Sequence, residues 1–201
     1  MKKLLAGVMG IGLLLGLASC ASTPKVSRVA SSDVIDLSGN WNDTDSQQVA
    51  QAMITDALAR PWISDFMAKK SEKPRVIVGT VLNKSNEHIS TETFIKDLEM
   101  ELTNSGKVRF VASKDQRQEL RDEKADQAQN SSMATAKSMG QEVAADYMVK
   151  GQINTIEDEA GNTSLKYYQI ELEMIDIETN EKVWIGQKKI KKVVERRGSK
   201  F

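Results

Sequence analysis

One histidine, one cysteine and three prolines in 201 residues exclude several kinds of chemistry at once. His88 has no second imidazole beside it, and a zinc site takes three or four ligands from His, Cys and carboxylates. Cys20 stands alone, so no disulfide closes within one chain. Calcium-loop spacing is missing, as are a glycine-rich phosphate loop and the Gly-x-Ser-x-Gly elbow of a serine hydrolase. No metal and no cofactor are therefore expected. The chain has no internal repeat and no surplus of charge: 28 basic residues face 28 acidic ones. That balance argues against nucleic acid as a partner.

What is present begins at the N-terminus. Met1-Lys2-Lys3 is basic, and Leu4 to Leu17 is apolar except for glycine. This is the layout of a secretory signal peptide, and it is too short to span a bilayer, which takes about 20 apolar residues. It closes on Leu17-Ala18-Ser19-Cys20, which resembles a bacterial lipobox. The resemblance implies cleavage after residue 19, acylation of Cys20 and a membrane anchor through that cysteine. Ala21 stands where an aspartate would resemble an inner-membrane retention signal, so the expected location is the outer membrane, lipid-anchored and facing the periplasm. Loss of residues 1–19 leaves 26 basic against 28 acidic residues.

Residues 20–44 are rich in Ser, Asp, Asn, Thr and Gly with scattered apolar positions, and read as a lipidated N-terminus and flexible tether. Its one proline, Pro24, makes no stiff spacer. Residues 45–193 have the size of one domain. Asp43 to Ser46 offer caps for a helix that carries Val49, Ala52, Met53 and Ala57 on one side. Pro61 opens a short second helix with Trp62, Ile63, Phe66 and Met67. Arg75 to Leu82 is a nearly unbroken apolar run, the pattern of a strand buried on both faces. A helix capped by Ser90 or Thr91 follows, with Phe94, Leu98 and Leu102 on successive turns, and Asn104-Ser105-Gly106-Lys107 stops it. Val108 to Ala112 reads as a strand, and Ser113 to about Gln129 as a charged, solvated helix. Met133, Ala136, Met139 and Val143 predict one more amphipathic helix.

Three strands complete the pattern. Asp146 to Ile153 is the first. Leu165 to Ile177 alternates, with Tyr168, Ile170, Leu172 and Met174 on one side. Glu178-Thr179-Asn180-Glu181 turns the chain, and Lys182 to Ile190 returns as an antiparallel partner. The expected fold class is α/β: a single domain with a mixed sheet of about five strands flanked by helices. Lys188, Lys189, Lys191, Lys192, Arg196, Arg197 and Lys200 stand against Glu195 alone. They read as a lysine-protected edge strand with a basic tail, residues 194–201, or as a contact for an acidic partner, a lipid headgroup or a cell-wall polymer.

The stretch VLNKSNEHIST, residues 81–91, leaves the apolar strand and holds His88. Three readings stand: an ordinary connection, a protein-binding loop, and a catalytic loop with Ser85 or Ser90 against His88 as base. Residues so close in one loop rarely meet in triad geometry. Glu171 and Glu173 share a strand face, but that face reads as solvent, whereas catalytic carboxylates need perturbed surroundings.

Several motifs in order resemble one family. Val76-Ile77-Val78-Gly79-Thr80-Val81-Leu82-Asn83-Lys84-Ser85 is similar to the first strand and loop of the LpoB family, lipoprotein activators of penicillin-binding proteins. Leu102 to Lys107 followed by Val108-Arg109-Phe110-Val111 continues it. Ala144 to Gly151 and Thr179-Asn180-Glu181-Lys182-Val183-Trp184-Ile185-Gly186 complete it, over about residues 47 to 192. The resemblance implies a fold like the N-terminal domain of TolB, no catalysis by this chain, and no small-molecule substrate. It implies docking on a bifunctional, class A penicillin-binding protein. The expected contacts are Asn83, Lys84, Asn86 and His88 in the loop, and Asn130, Ser131, Ser132 and Lys137 at the entry to the 133–143 helix. The short, proline-poor tether departs from the family's long one. The alternative on the same fold is a subunit of an envelope secretion or assembly complex, like the curli-secretion lipoproteins.

Overall fold

The computed structural model describes residues 26–132, 137 and 142–196. The elements run α1 (Asp43–Ala57), α2 (Trp62–Lys70), β1 (Arg75–Asn83), α3 (Thr91–Asn104), β2 (Arg109–Phe110), α4 (Lys114–Asn130), β3 (Tyr147–Ala160), β4 (Thr163–Asp176) and β5 (Lys182–Glu195). The strands form one mixed sheet in the order β2-β1-β3-β4-β5. β1 is parallel to β2 and β3, while β3, β4 and β5 run antiparallel in turn. This is the α/β domain that the sequence predicts.

The core lies on one side of the sheet. Val76, Val78, Tyr147, Val149, Ile153, Tyr168, Ile170, Leu172, Met174 and Trp184 meet Val49, Met53, Ile54, Phe94, Leu98 and Leu102 from the helices. Phe94, Leu98 and Leu102 are fully buried, and each such side chain contributes about 1.5–3 kcal/mol by leaving water. The helix caps are local chemistry. Asn42, rather than Asp43 to Ser46, caps α1 in a reciprocal box with Asp45. Ser90 accepts the Thr93 N–H at α3. Ser113 and Gln116 form a capping box at α4, and no residue of α4 is buried.

Two expectations need correction, and a third falls largely outside the described residues. β1 is not buried on both faces: Val76, Val78 and Val81 point inward, whereas Leu82 is 47% exposed on the open side. The apolar run misleads because the described helices cover one face of the sheet, and a shift of register between Val78 and Val81 interrupts its alternation. The second strand shrinks to two residues, since β2 pairs with β1 only at Arg75 and Val76. The helix over 133–143 falls largely outside the described residues. Of its positions, Val143 lies in an irregular stretch and is 57% exposed.

β5 is the edge strand, as its lysines suggest, and it continues to Glu195, into the segment expected as tail. Residues 36–42, expected as tether, also make contacts of the domain. The Gly39 carbonyl accepts from the Tyr168 hydroxyl at 3.2 Å, and Trp41 packs edge-on against Phe94 and Tyr168.

Candidate functional site

The loop after β1 leaves the sheet beside β3, at the end of β1 away from its short pairing with β2. Its backbone is fixed from within. The Lys84 N–H donates to the Ile153 carbonyl at 2.8 Å, which holds the loop to β3. Asn83 is an internal strut: its amide donates to the Glu87 carbonyl at 2.7 Å, and its side-chain oxygen accepts from the Ser85 N–H at 2.9 Å and hydroxyl at 2.6 Å. An asparagine that ties its own turn in this way is spent on structure. Ser85 is spent likewise, and no contact joins it to His88 as nucleophile to base. Lys84, Asn86 and His88 are exposed. The loop therefore presents a cation, an amide and an imidazole on a rigid turn.

The anchor of the loop is Glu87. Its carboxylate, 11% exposed, accepts from Lys166 Nζ at 2.6 Å, from the Tyr168 hydroxyl at 2.7 Å and from the Trp41 N–H at 3.1 Å. Burial alone would raise its pKa, but these three donors outweigh it and hold the carboxyl below the ordinary range. The Tyr168 hydroxyl is pushed far up, first by its burial and then by that carboxylate. A second knot lies beside the first. Lys192 Nζ is 2.6 Å from both Asp36 and Asp45 and donates to the Asn40 carbonyl at 3.2 Å. Burial works against its charge, yet the two aspartates outweigh that and hold it above the usual lysine range. Lys166 also reaches the Asn40 side chain. The loop, β4, β5 and residues 36–45 thus share one polar network.

The second expected group stands elsewhere. Asn130 ends α4, and its amide donates to Asp126 Oδ1 at 2.7 Å. Ser131 caps that helix through its N–H to the Gln127 carbonyl at 2.9 Å. The Lys137 N–H donates to Gln127 Oε1 at 3.3 Å. Asn130, Ser131, Ser132 and Lys137 are exposed. The hydrogen bonds that leave the loop run to β3, β4 and Trp41, whereas those of Asn130, Ser131 and Lys137 stay on α4. Among the described residues no hydrogen bond joins the loop to Asn130, Ser131 or Lys137.

On the open face of the sheet Glu171 accepts from Gln169 at 2.6 Å, Gln152 at 3.1 Å and Gln187 at 3.2 Å. Those amides lower its pKa, in that order of effect. That is the direction opposite to the one a general acid needs. Among the described residues no group of three or more His, Cys, Asp or Glu could hold a metal ion. No described helix is long and apolar enough to cross a membrane.

Sequence reasoning passed over Glu87, Lys166, Tyr168 and Lys192. Two of them carried a signal. Tyr168 falls on the inward positions of β4, where a buried hydroxyl needs a partner. Lys192 falls in step with Trp184 and Ile190, the inward positions of β5, where a lysine needs an acid.

No curated protein matches the chain. Among solved structures, the C-terminal domain of LpoB from Escherichia coli is 18% identical, over 65% of this chain and 93% of that one, with a TM-score of 0.36. The NMR structure of E. coli LpoB is 15% identical, over 90% of this chain and 86% of that one, with a TM-score of 0.39. Lipoprotein GNA1162 from Neisseria meningitidis is 11% identical, over 63% and 88%, with a TM-score of 0.37. The family model described as peptidoglycan-synthase activator LpoB matches residues 45–190, most of the chain and all of its sheet but the last residues of β5. The chain belongs to the LpoB family of peptidoglycan-synthase activators.

Proposed function

We propose that this chain is an outer-membrane lipoprotein, acylated at Cys20 and facing the periplasm, that docks on a class A penicillin-binding protein and activates it. The family match over residues 45–190 carries this reading. Activation is a population shift: the chain binds the working conformation of the synthase more tightly than the idle one, and the difference in affinity is the activation. Such a role asks for a rigid, exposed, polar surface with a few anchors. The loop after β1 supplies Lys84, Asn86 and His88 on a turn held by Asn83 and Glu87. The end of α4, with Asn130, Ser131, Ser132 and Lys137, is a second contact zone.

The tether is shorter than the sequence implies. With Asp36 onward engaged by Lys192 and Lys166, residues 20–35 do the reaching, at most about 55 Å when fully extended. The proposal therefore places the synthase domain that it meets within that distance of the anchoring membrane.

The test uses the purified class A penicillin-binding protein of the same organism. Glycan polymerisation and cross-linking are measured with and without the chain, and affinity by calorimetry. Both rates rise on addition. Lys84→Glu weakens binding about tenfold, the order expected for reversing a charge at an interface, and leaves the melting temperature unchanged. Unchanged affinity with a lowered melting temperature removes the loop from the interface.

A further inference from the structure

The start of the sheet carries a groove of about 720 Å³ between α2, the beginning of β3 and the β4–β5 turn. β1 runs away from it: Val76 pairs with Tyr147 and Asn83 with Ile153, so the loop at 83–88 stands at the opposite end of that strand. The groove is thus separate from the surface proposed for the synthase.

Its floor is aromatic. Tyr147 stands 5.0 Å from Trp62 and 5.7 Å from Phe66, both edge to face. The Trp62 indole is satisfied by the Ala57 carbonyl at 2.7 Å. Tyr147 is different. Only 6% of it is exposed, it lines the groove, and its hydroxyl makes no hydrogen bond among the described residues. That hydroxyl opens on the groove, since no buried side-chain nitrogen or oxygen lacks a partner among the described residues, whereas the Tyr168 hydroxyl is spent on Glu87.

The charges around that hydroxyl are mostly of one sign. Burial first, and then Asp176, Asp146 and Asp65, push its pKa up to about 12. Asp146 is engaged by Arg75, accepting its backbone N–H at 2.7 Å with the guanidinium 3.8 Å away. Asp176 accepts two N–H groups of its own turn through one oxygen. Asp65 and Glu178 are exposed, and their carboxylates make no hydrogen bond or ion pair among the described residues. Lys69 and Lys70 on the rim reduce the negative field without cancelling it, since Asp176 and Glu181 also line the groove. These carboxylates do not converge as metal ligands among the described residues. The fitting cation is organic, with an apolar stem to lie on the aromatic floor.

We infer that this groove is a docking site for a basic peptide segment of a protein partner, an arginine or lysine stem resting on Trp62, Phe66 and Tyr147 and its head group facing Asp65 and Glu178. The Tyr147 hydroxyl, without a partner among the described residues, accepts from that head group. The inference stands whether or not the loop at 83–88 contacts the synthase.

The probe is a capped peptide of alternating glycine and arginine, titrated into the full chain at low salt and followed by backbone amide shifts and calorimetry. A counterpart with glutamate for arginine is the control. Saturable binding is expected, with shifts centred on Tyr147 and residues 176–179. Asp65→Asn with Glu178→Gln weakens it about tenfold, as loss of charge-assisted contacts does. Tyr147→Phe weakens it about threefold at an unchanged melting temperature, because the ring contacts remain. Lys84→Glu leaves it unchanged. The inference is overturned if the arginine peptide does not saturate, if the double variant keeps the wild-type affinity, if the glutamate peptide binds equally, or if the shifts centre on the acidic stretch Glu157–Glu159.

Discussion

Glu87 keeps only 11% of its side chain in water, so its charge needs partners, and it has three: Lys166, Tyr168 and the Trp41 N–H. Replacing it with glutamine keeps the shape and removes the charge that Lys166 and Tyr168 are arranged around. A buried polar group left underpaired costs about 2–3 kcal/mol, and Glu87→Gln is expected to lose that much by urea unfolding at pH 7. The loss depends on pH in a definite direction. The carboxyl is held below its ordinary value in the fold, whereas the unfolded chain titrates near about 4.3. Its contribution is complete above that unfolded value and disappears as pH falls through the folded one. Wild type and variant should differ most at pH 7 and 5 and converge below about pH 4. A gap that persists unchanged to pH 3 would show that the carboxylate is not the group responsible. None of this is visible in residues 81–91 alone, since Lys166 and Tyr168 lie far along the chain. The loop's turn formers, Asn83 and Ser85, suit a binding loop and an ordinary rigid turn alike, so the sequence leaves both readings open.

At the level of elements, alternation was the most legible signal. Tyr168, Ile170, Leu172 and Met174 on β4 predict one inward face, and those four are buried. The β4–β5 hairpin follows from it, with Asn180 taking positive φ in the turn. Strand length was less legible, because it depends on partners: β2 has two residues because β1 offers it two. The two long helices after β1 separate by the same logic. α3 buries Phe94, Leu98 and Leu102, whereas α4 buries nothing and Leu120 is 52% exposed. Caps and the Arg121–Glu142 pair at 2.6 Å hold α4. Leu98→Ala should therefore cost about 2–5 kcal/mol through the cavity it leaves. Leu120→Ala should stay within about 0.5 kcal/mol. Urea midpoints of the two variants check the contrast. Equal losses would mean that α4 is packed more deeply than its exposure indicates.

For the whole molecule the polar network decides how the segment before α1 is attached. Two inward-reaching lysines, on neighbouring strands, hold it: Lys166 through Asn40 and Lys192 through Asp36, Asp45 and the Asn40 carbonyl. Glu87 joins that attachment to the loop after β1, because it binds Lys166 and Trp41 together. The two halves of the network should be separable by hydrogen exchange, which reports local opening. Lys192→Met removes the charge that pairs Asp36 and Asp45 and leaves Glu87 with all of its donors. Exchange over residues 36–42 should then quicken while residues 83–89 keep their protection. Glu87→Gln strikes the shared member, so both stretches should quicken together, and by similar factors. If Lys192→Met loosens the loop as well, the network opens as one unit, and any pull on the tether would be felt directly at Lys84, Asn86 and His88. If Glu87→Gln leaves residues 36–42 unchanged, Lys192 alone holds that segment, and the loop after β1 is mechanically independent of it.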